Sequence, residues 1–176
     1  MNIRKAVAAD IPAVAAIYDA IIDWEEQQPT TVIGWLRGVY PTEDTARAAL
    51  EKDELYVMED ERGAVVAAAK LNREQVPEYA DCHWQYDAPD EQVLVLHTLV
   101  VDPAQKGRGC GTAFIRWYED MGRQMGCPYL RIDTNSHNLP ARRLYAHLGY
   151  TEPGIVDCVF NGIPGVHLVC LEKKLT

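Results

Sequence analysis

Apolar residues recur along this chain with two different periods, and the points where the period changes divide it into elements. Ile3 to Val7 reads as a short strand. Beyond Asp10, a plausible N-cap, the residues Ile11, Val14, Ala15, Tyr18, Ile21 and Ile22 return at helical spacing, with Pro12 tolerated in the first turn. From Gln27 to Tyr40 the periodicity lapses, and Gly34, Gly38 and Pro41 punctuate the stretch, so irregular structure is expected there. A short helix follows, with Thr42 as N-cap and Ala46, Ala49 and Leu50 on its apolar face. Glu54 to Met58 and Ala64 to Leu71 are β-like runs joined by the charged turn Glu59-Asp60-Glu61-Arg62-Gly63, and together they predict a hairpin.

The stretch from Asn72 to Glu91 is polar, yet it carries His83, Trp84 and Tyr86 between Pro77 and Pro89. A loop this long inside a compact domain is usually functional or poorly ordered, and its aromatic content favours function. Val93 to Val101 is a nearly continuous apolar run, broken only by His97 and Thr98, of the kind buried on both faces of a sheet. After a glycine cluster, Phe114, Trp117, Tyr118, Met121 and Met125 form one stripe of a long amphipathic helix that Gly126 and Pro128 close. Tyr129 to Asp133 predicts a strand. Asn138 to His147 predicts a short helix with Ala141, Leu144, Tyr145 and Leu148 on one face and Gly149 at its C-terminal cap. Gly154 to Leu175 predicts two more strands around the turn Asn161-Gly162-Ile163-Pro164-Gly165. The order of elements is that of a mixed α/β fold in a single domain spanning residues 1–176.

Composition narrows what such a domain does. A chain of 176 residues with 48% hydrophobic content builds one substantial core. A net charge of -9 argues against nucleic acid as a partner, because that affinity rests on Lys and Arg neutralising phosphates. It fits better with a cationic or neutral substrate. Five widely spaced cysteines without a C-x-x-C pair are the usage of a reducing compartment. With no signal peptide or membrane span evident, a cytoplasmic location is expected, and no metal is called for. A homodimer is the default assembly, from the commonness of twofold symmetry.

The glycine cluster carries the chemistry. A strand that runs into closely spaced glycines and then a helix exposes backbone N–H groups beside the positive end of a helix dipole, a geometry that binds phosphate. Gly107, Gly109 and Gly111 allow close approach, and Lys106 and Arg108 add charge. A plain strand-to-helix turn that only needs positive φ would look the same. Two rival phosphate motifs fail at defined positions. A dinucleotide fingerprint starting at Gly107 needs glycine at 112, and a P-loop needs glycine at 112 followed by lysine; Thr112 and Ala113 stand there instead.

Lys106-Gly107-Arg108-Gly109-Cys110-Gly111 resembles the Q/R-x-x-G-x-G/A motif of the GCN5-related N-acetyltransferases (GNAT), with lysine in place of the usual glutamine or arginine and Gln105 one residue earlier. Downstream, Asn138-Leu139-Pro140-Ala141-Arg142-Arg143-Leu144-Tyr145-Ala146-His147-Leu148-Gly149-Tyr150 resembles that family's N-x-x-A-x-x-x-Y-x-x-x-G-[FY] segment, in the family's order and separation. The resemblance covers nearly the whole chain. It implies a mixed sheet of about six to seven strands flanked by about four helices, and transfer of an acetyl group from acetyl-CoA to a primary amine of a small molecule, amino acid or peptide.

The resemblance further implies that Leu99, Val100 and Val101 hold the pantetheine arm. The amides from Gly107 to Thr112, with Cys110 among them, would hold the pyrophosphate, and Asn138 would bond to the cofactor. Tyr145 takes the general-acid position, although spacing alone would make it a core aromatic. His97 is a candidate contact to the acceptor or general base, or else a satisfied core histidine. Glu91 is a second candidate base, or a solvated strand-end charge. Asp133 and Thr134 either line the cleft or cap the segment after their strand. His83, Trp84 and Tyr86 would shape an acceptor pocket, and Trp24 and Trp35 would contribute to it or fill core. Two other readings stay open: a non-catalytic acyl-CoA-binding or sensing module on the same fold, and an interaction protein that leaves the glycine turn empty.

Overall fold

Turn-bounded apolar runs become the strands of one sheet that extends through nearly the whole chain. The computed structural model describes all residues, Met1–Thr176. In chain order the elements are β1 (Asn2–Lys5), α1 (Ile11–Glu26), α2 (Glu43–Glu51), β2 (Leu55–Glu59), β3 (Val65–Asn72), β4 (Val93–Val101), α3 (Cys110–Gln124), β5 (Tyr129–Asn135), α4 (Leu139–His147), β6 (Thr151–Phe160) and β7 (Ile163–Lys174). The seven strands lie in the order β1-β2-β3-β4-β5-β7-β6. Every neighbouring pair is antiparallel except β4 with β5, which the α3 crossover makes parallel. No helix is long and apolar enough to cross a membrane.

Both faces of the sheet are covered. Ile11, Val14, Ile17, Tyr18 and Ile21 of α1 pack with Ala68 and Val100 on one face. Phe114, Ile115 and Tyr118 of α3 and Tyr145 of α4 pack with Leu94, Leu96, Leu130 and Ile132 on the other. Burying side chains of this size is worth about 1.5–3 kcal/mol each. Tyr118 does more than fill space. Its hydroxyl donates to Leu94 O at 2.6 Å and lies 3.1 Å from Arg131 O, so it fastens β4 to β5.

Three local expectations change. The turn between β6 and β7 is only Asn161-Gly162, both at positive φ (50° and 78°), so Ile163 and Pro164 belong to β7. This is the two-residue Asn-Gly hairpin that matches strand twist. Asp10 makes no side-chain cap on α1; it accepts from Val7 N at 2.8 Å and pairs with Arg4. The aromatic stretch before β4 is structural. Tyr79 and Cys82 form a core with Val93, Val95 and Leu168. Trp84 lies 3.9 Å from Arg131, whose pairing with Glu172 is a loose 4.0 Å, both of them almost fully buried. A buried pair at that distance needs cover and further partners, which the loop supplies through Gln75, Gln85 and Tyr86.

Candidate active site

The sheet opens where its one parallel pair ends. β4 and β5 stay in register from Val93↔Tyr129 to Leu96↔Ile132 and no further. Beyond that point Asp133, Thr134 and Asn135 pair only with β7. On the other side, β4 follows β3 around a bulge: His97 pairs with Lys70 and Val100 with Ala68, three steps against two. Thr98 sits in that bulge at φ 52°, a left-handed conformation that is unusual for a β-branched residue and typical of functional sites. Its hydroxyl shares a hydrogen bond with the Tyr40 hydroxyl. Asp102 N–H reaches back to Val66 O, so by alternation the N–H groups of Val101 and Leu99 point into the gap. A cavity of about 600 Å³ occupies this split.

At one end lies the glycine turn. Gly107 and Gly109 have φ of 80° and 77°, and a Cβ at either would meet only open space. Lys106, Arg108 and Ala113 spend their N–H groups on Pro103, Gln105 and Gly109 carbonyls, whereas those of Gly107, Gly109, Cys110, Gly111 and Thr112 find no acceptor in the protein. These free donors, gathered at the N-terminus of a 15-residue helix, fit a pyrophosphate. Cys110 offers only its amide, because its side chain is 2% exposed and packed in the core. Lys106 and Gln105 both line the cavity, and the Lys106 ammonium is engaged by no other side chain. Arg108 does not line it; its guanidinium holds Gln105 Oε1 at 3.0 Å on the surface. Leu99, Val100 and Val101 form the wall next to the turn. Asn138 also lines the cavity, while its Oδ1 accepts from Ala141 N at 3.3 Å and caps α4.

Tyr145 lines the same cavity, 5% exposed and edge-on to Tyr150. Its hydroxyl has no hydrogen-bond partner, yet it is not sealed: the buried unpartnered polar atoms are Arg131 Nε, Tyr150 Oη and Glu172 Oε2. Burial first, and the nearby Asp133 charge second, raise its pKa well above the usual phenol value, so it stays protonated. Asp133 and Thr134 do line the cleft. Asp133 Oδ2 accepts from the Tyr79 hydroxyl at 2.7 Å. Burial pushes its carboxyl up to about 6, against the lowering effect of that bond.

Other expected positions fall outside. His97 is not on the cavity wall; its Nε2 lies 2.8 Å from Asn72 Oδ1, and burial and Lys70 push its pKa down to about 4. Glu91 is exposed at the start of β4, and His83, Trp84 and Tyr86 lie away from the cavity beneath β5 and β7. In their place the far wall is built by Trp24 and Trp35 with Ile33, Tyr40, Phe160 and Ile163. Residues 32–34 are held there by Glu25, whose carboxylate accepts the N–H groups of Val32, Ile33 and Gly34, each at 2.9 Å. Trp24 and Trp35, expected at an acceptor pocket or in the core, both line the cavity; Glu25, an acidic residue at the end of α1 just before a glycine-bearing loop, is the further local sign of this wall in the sequence.

The family model described as Acetyltransferase (GNAT) family matches residues 18–150. The Bacillus subtilis (strain 168) protein named Uncharacterized N-acetyltransferase YhfO is 26% identical over 163 residues, covering 92% of this chain and 97% of its own length. Among solved structures, an acetyltransferase of the GNAT family from Streptococcus agalactiae 2603 superposes with a TM-score of 0.81 at 18% identity, covering 99% of this chain and 95% of that one. The yncA protein of Salmonella typhimurium, solved with its cofactor acetyl-CoA, superposes with a TM-score of 0.70 at 21% identity, covering 100% and 94%.

Proposed function

The chain belongs to the GNAT acetyltransferase family, and on that premise we propose that it transfers acetyl directly from acetyl-CoA to a primary amine, with Tyr145 as general acid. One observation carries the reading. The split between β4 and β5 joins the five free amides of the glycine turn to the unpartnered Tyr145 hydroxyl along a single wall. The structure of yncA with acetyl-CoA supports the choice of donor.

Acetyl-CoA supplies an acetyl group already activated as a thioester. The protein's own residues bind, orient and hold a proton. The amides of Gly107 and of Gly109 to Thr112, with Lys106 beside them, hold the pyrophosphate. Leu99 and Val101 offer backbone groups to the amide-bearing arm, and Asn138 contributes a side-chain bond. Tyr145 keeps its proton at neutral pH because its pKa is raised, and its hydroxyl is free to give that proton to a departing thiolate. Cys110 has no part as a nucleophile, being buried with only its amide toward the turn. Five free cysteines, four of them buried, suit a reducing cytoplasm. Ile155 and Val159, 52% and 61% exposed on edge strand β6, suit a homodimer.

CoA at about 100 times its dissociation constant should stabilise the fold by about 2.7 kcal/mol in thermal melts. Tyr145→Phe should keep that stabilisation and lower kcat by about 100-fold or more. Equal turnover in wild type and variant would remove the general-acid role of Tyr145, and none in either across a broad amine panel points instead to a non-catalytic acyl-CoA-binding module.

A further inference from the structure

The acceptor end of the cavity carries a charge pattern that selects among amines. The charged side chains on the wall are Asp102, Lys106 and Asp133. Asp102 and Lys106 belong to the glycine turn, so Asp133 is the one charge facing the acceptor. No arginine or histidine lines the cavity anywhere. The rest of the acceptor end is mainly apolar or aromatic, with Trp24, Ile33, Trp35, Tyr40, Phe160 and Ile163, and its other polar side chains, Thr98, Thr134, Asn135 and Asn161, carry no charge.

Asp133 is built to present one oxygen. Oδ2 is taken by Tyr79, while Oδ1 has no donor in the protein and is not among the sealed unpartnered atoms. Asp133 is the first residue of β5 without a partner on β4, at the mouth of the split, and it lines the cavity there. A carboxylate in such a place is costly unless a cation meets it. Aromatic faces around it add to the attraction for an ammonium. A second anionic group on the acceptor would find no cation here and would lose its hydration without return.

We propose that Asp133 Oδ1 anchors the acceptor's ammonium and accepts the proton which that nitrogen must lose before it attacks the thioester, and that the acceptor is a small primary amine with an apolar or aromatic body and no carboxylate or phosphate. This rests on the acetyltransferase reading and names its substrate class; it sets the chain apart from enzymes that acetylate amino acids. Asp133 here is a specificity residue. The groups around it are Glu78 and Tyr79 of the loop before β4, Tyr40, Tyr145, Cys158 and Cys170. Glu78 is the only other carboxyl group among them.

The test compares pairs that differ by one carboxylate, tyramine with tyrosine and phenethylamine with phenylalanine, alongside a short peptide with a free N-terminus. The amines should exceed their amino acids in kcat/KM by about 100-fold or more, the scale of burying an unpartnered carboxylate. Asp133→Asn should raise KM for phenethylamine about 10-fold or more while the melting shift with CoA is unchanged. In wild type, KM should rise as pH falls through about 6. Tyr79→Phe removes the bond that lowers the Asp133 pKa, so it should move that limb to higher pH, which a purely structural role would not do. Amino acids or the peptide turned over as well as the amines would overturn the proposal while leaving the acetyltransferase reading intact. An unchanged KM in Asp133→Asn, or an acidic limb that stays put in Tyr79→Phe, would overturn it as well. Loss of the CoA melting shift in wild type would instead remove the acetyltransferase reading, and this proposal with it.

Discussion

His97 and Asp133 illustrate how two buried ionisable side chains in one sheet can pull stability in opposite directions. His97 stays neutral in the fold down to about pH 4, while in the unfolded chain it takes up a proton near 6.5. Between those values the unfolded state binds more protons, so this residue's contribution to stability falls as pH falls. Asp133 titrates near 6 in the fold and near 3.8 unfolded. Across that window the folded state binds more protons, and stability rises as pH falls. The windows overlap, and the two slopes offset each other. Thermal melts from pH 4 to 7 should therefore show His97→Gln less acid-sensitive than wild type. Asp133→Asn should be more acid-sensitive, and more stable than wild type at pH 7, where the charged carboxylate is a burden. Sequence spacing marked both residues as chemically interesting, but it had no means of ranking them. The ranking depends on the bulge at Thr98 and on where β5 stops pairing, and neither is encoded in a local pattern.

At the level of elements, the periodic parts of the chain were legible and the aperiodic ones were not. The two long amphipathic helices, the hairpin of β2 and β3, the β4 run and the glycine turn follow from spacing, because each is stabilised by contacts within a few residues or by one apolar face. The acceptor wall is different: it joins the end of α1, the loop through residues 32–40 and the tip of the β6–β7 hairpin, which meet only in the folded chain. The aromatic loop before β4 was expected at the acceptor and instead covers Arg131 and Glu172, since a buried ion pair leaves no mark in the sequence of the loop that shields it. Glu25 holds the acceptor loop by three charge-assisted bonds. Glu25→Gln should cost about 1–2 kcal/mol in stability. It should also raise KM for the amine while leaving CoA affinity unchanged, a split that steady-state kinetics and calorimetry would show.

For the molecule as a whole, the sheet is both scaffold and partition. Tyr118 fastens β4 to β5 on one side of the split, and the bulge at Thr98 carries β4 off with β3 on the other, so the opening is set by folding and does not wait for a ligand. Within a net charge of -9, the proposed donor site is local, made of the free amides of the glycine turn and Lys106. The acceptor end adds one further negative charge, where a cation is wanted.

The alternation of backbone groups along β4 turns that opening into a built-in isotope clock. Asp102 N–H is already committed to Val66, and Val100 shares its orientation, whereas Val101 and Leu99 face the gap with no strand to receive them. In deuterated buffer the second pair should exchange quickly and the first slowly, a contrast between adjacent residues of one strand. Saturating CoA should slow Leu99 and Val101 selectively, as its amide-bearing arm completes the ladder that β5 abandons. Equal slowing of all four would mean that the ligand only stiffens the fold.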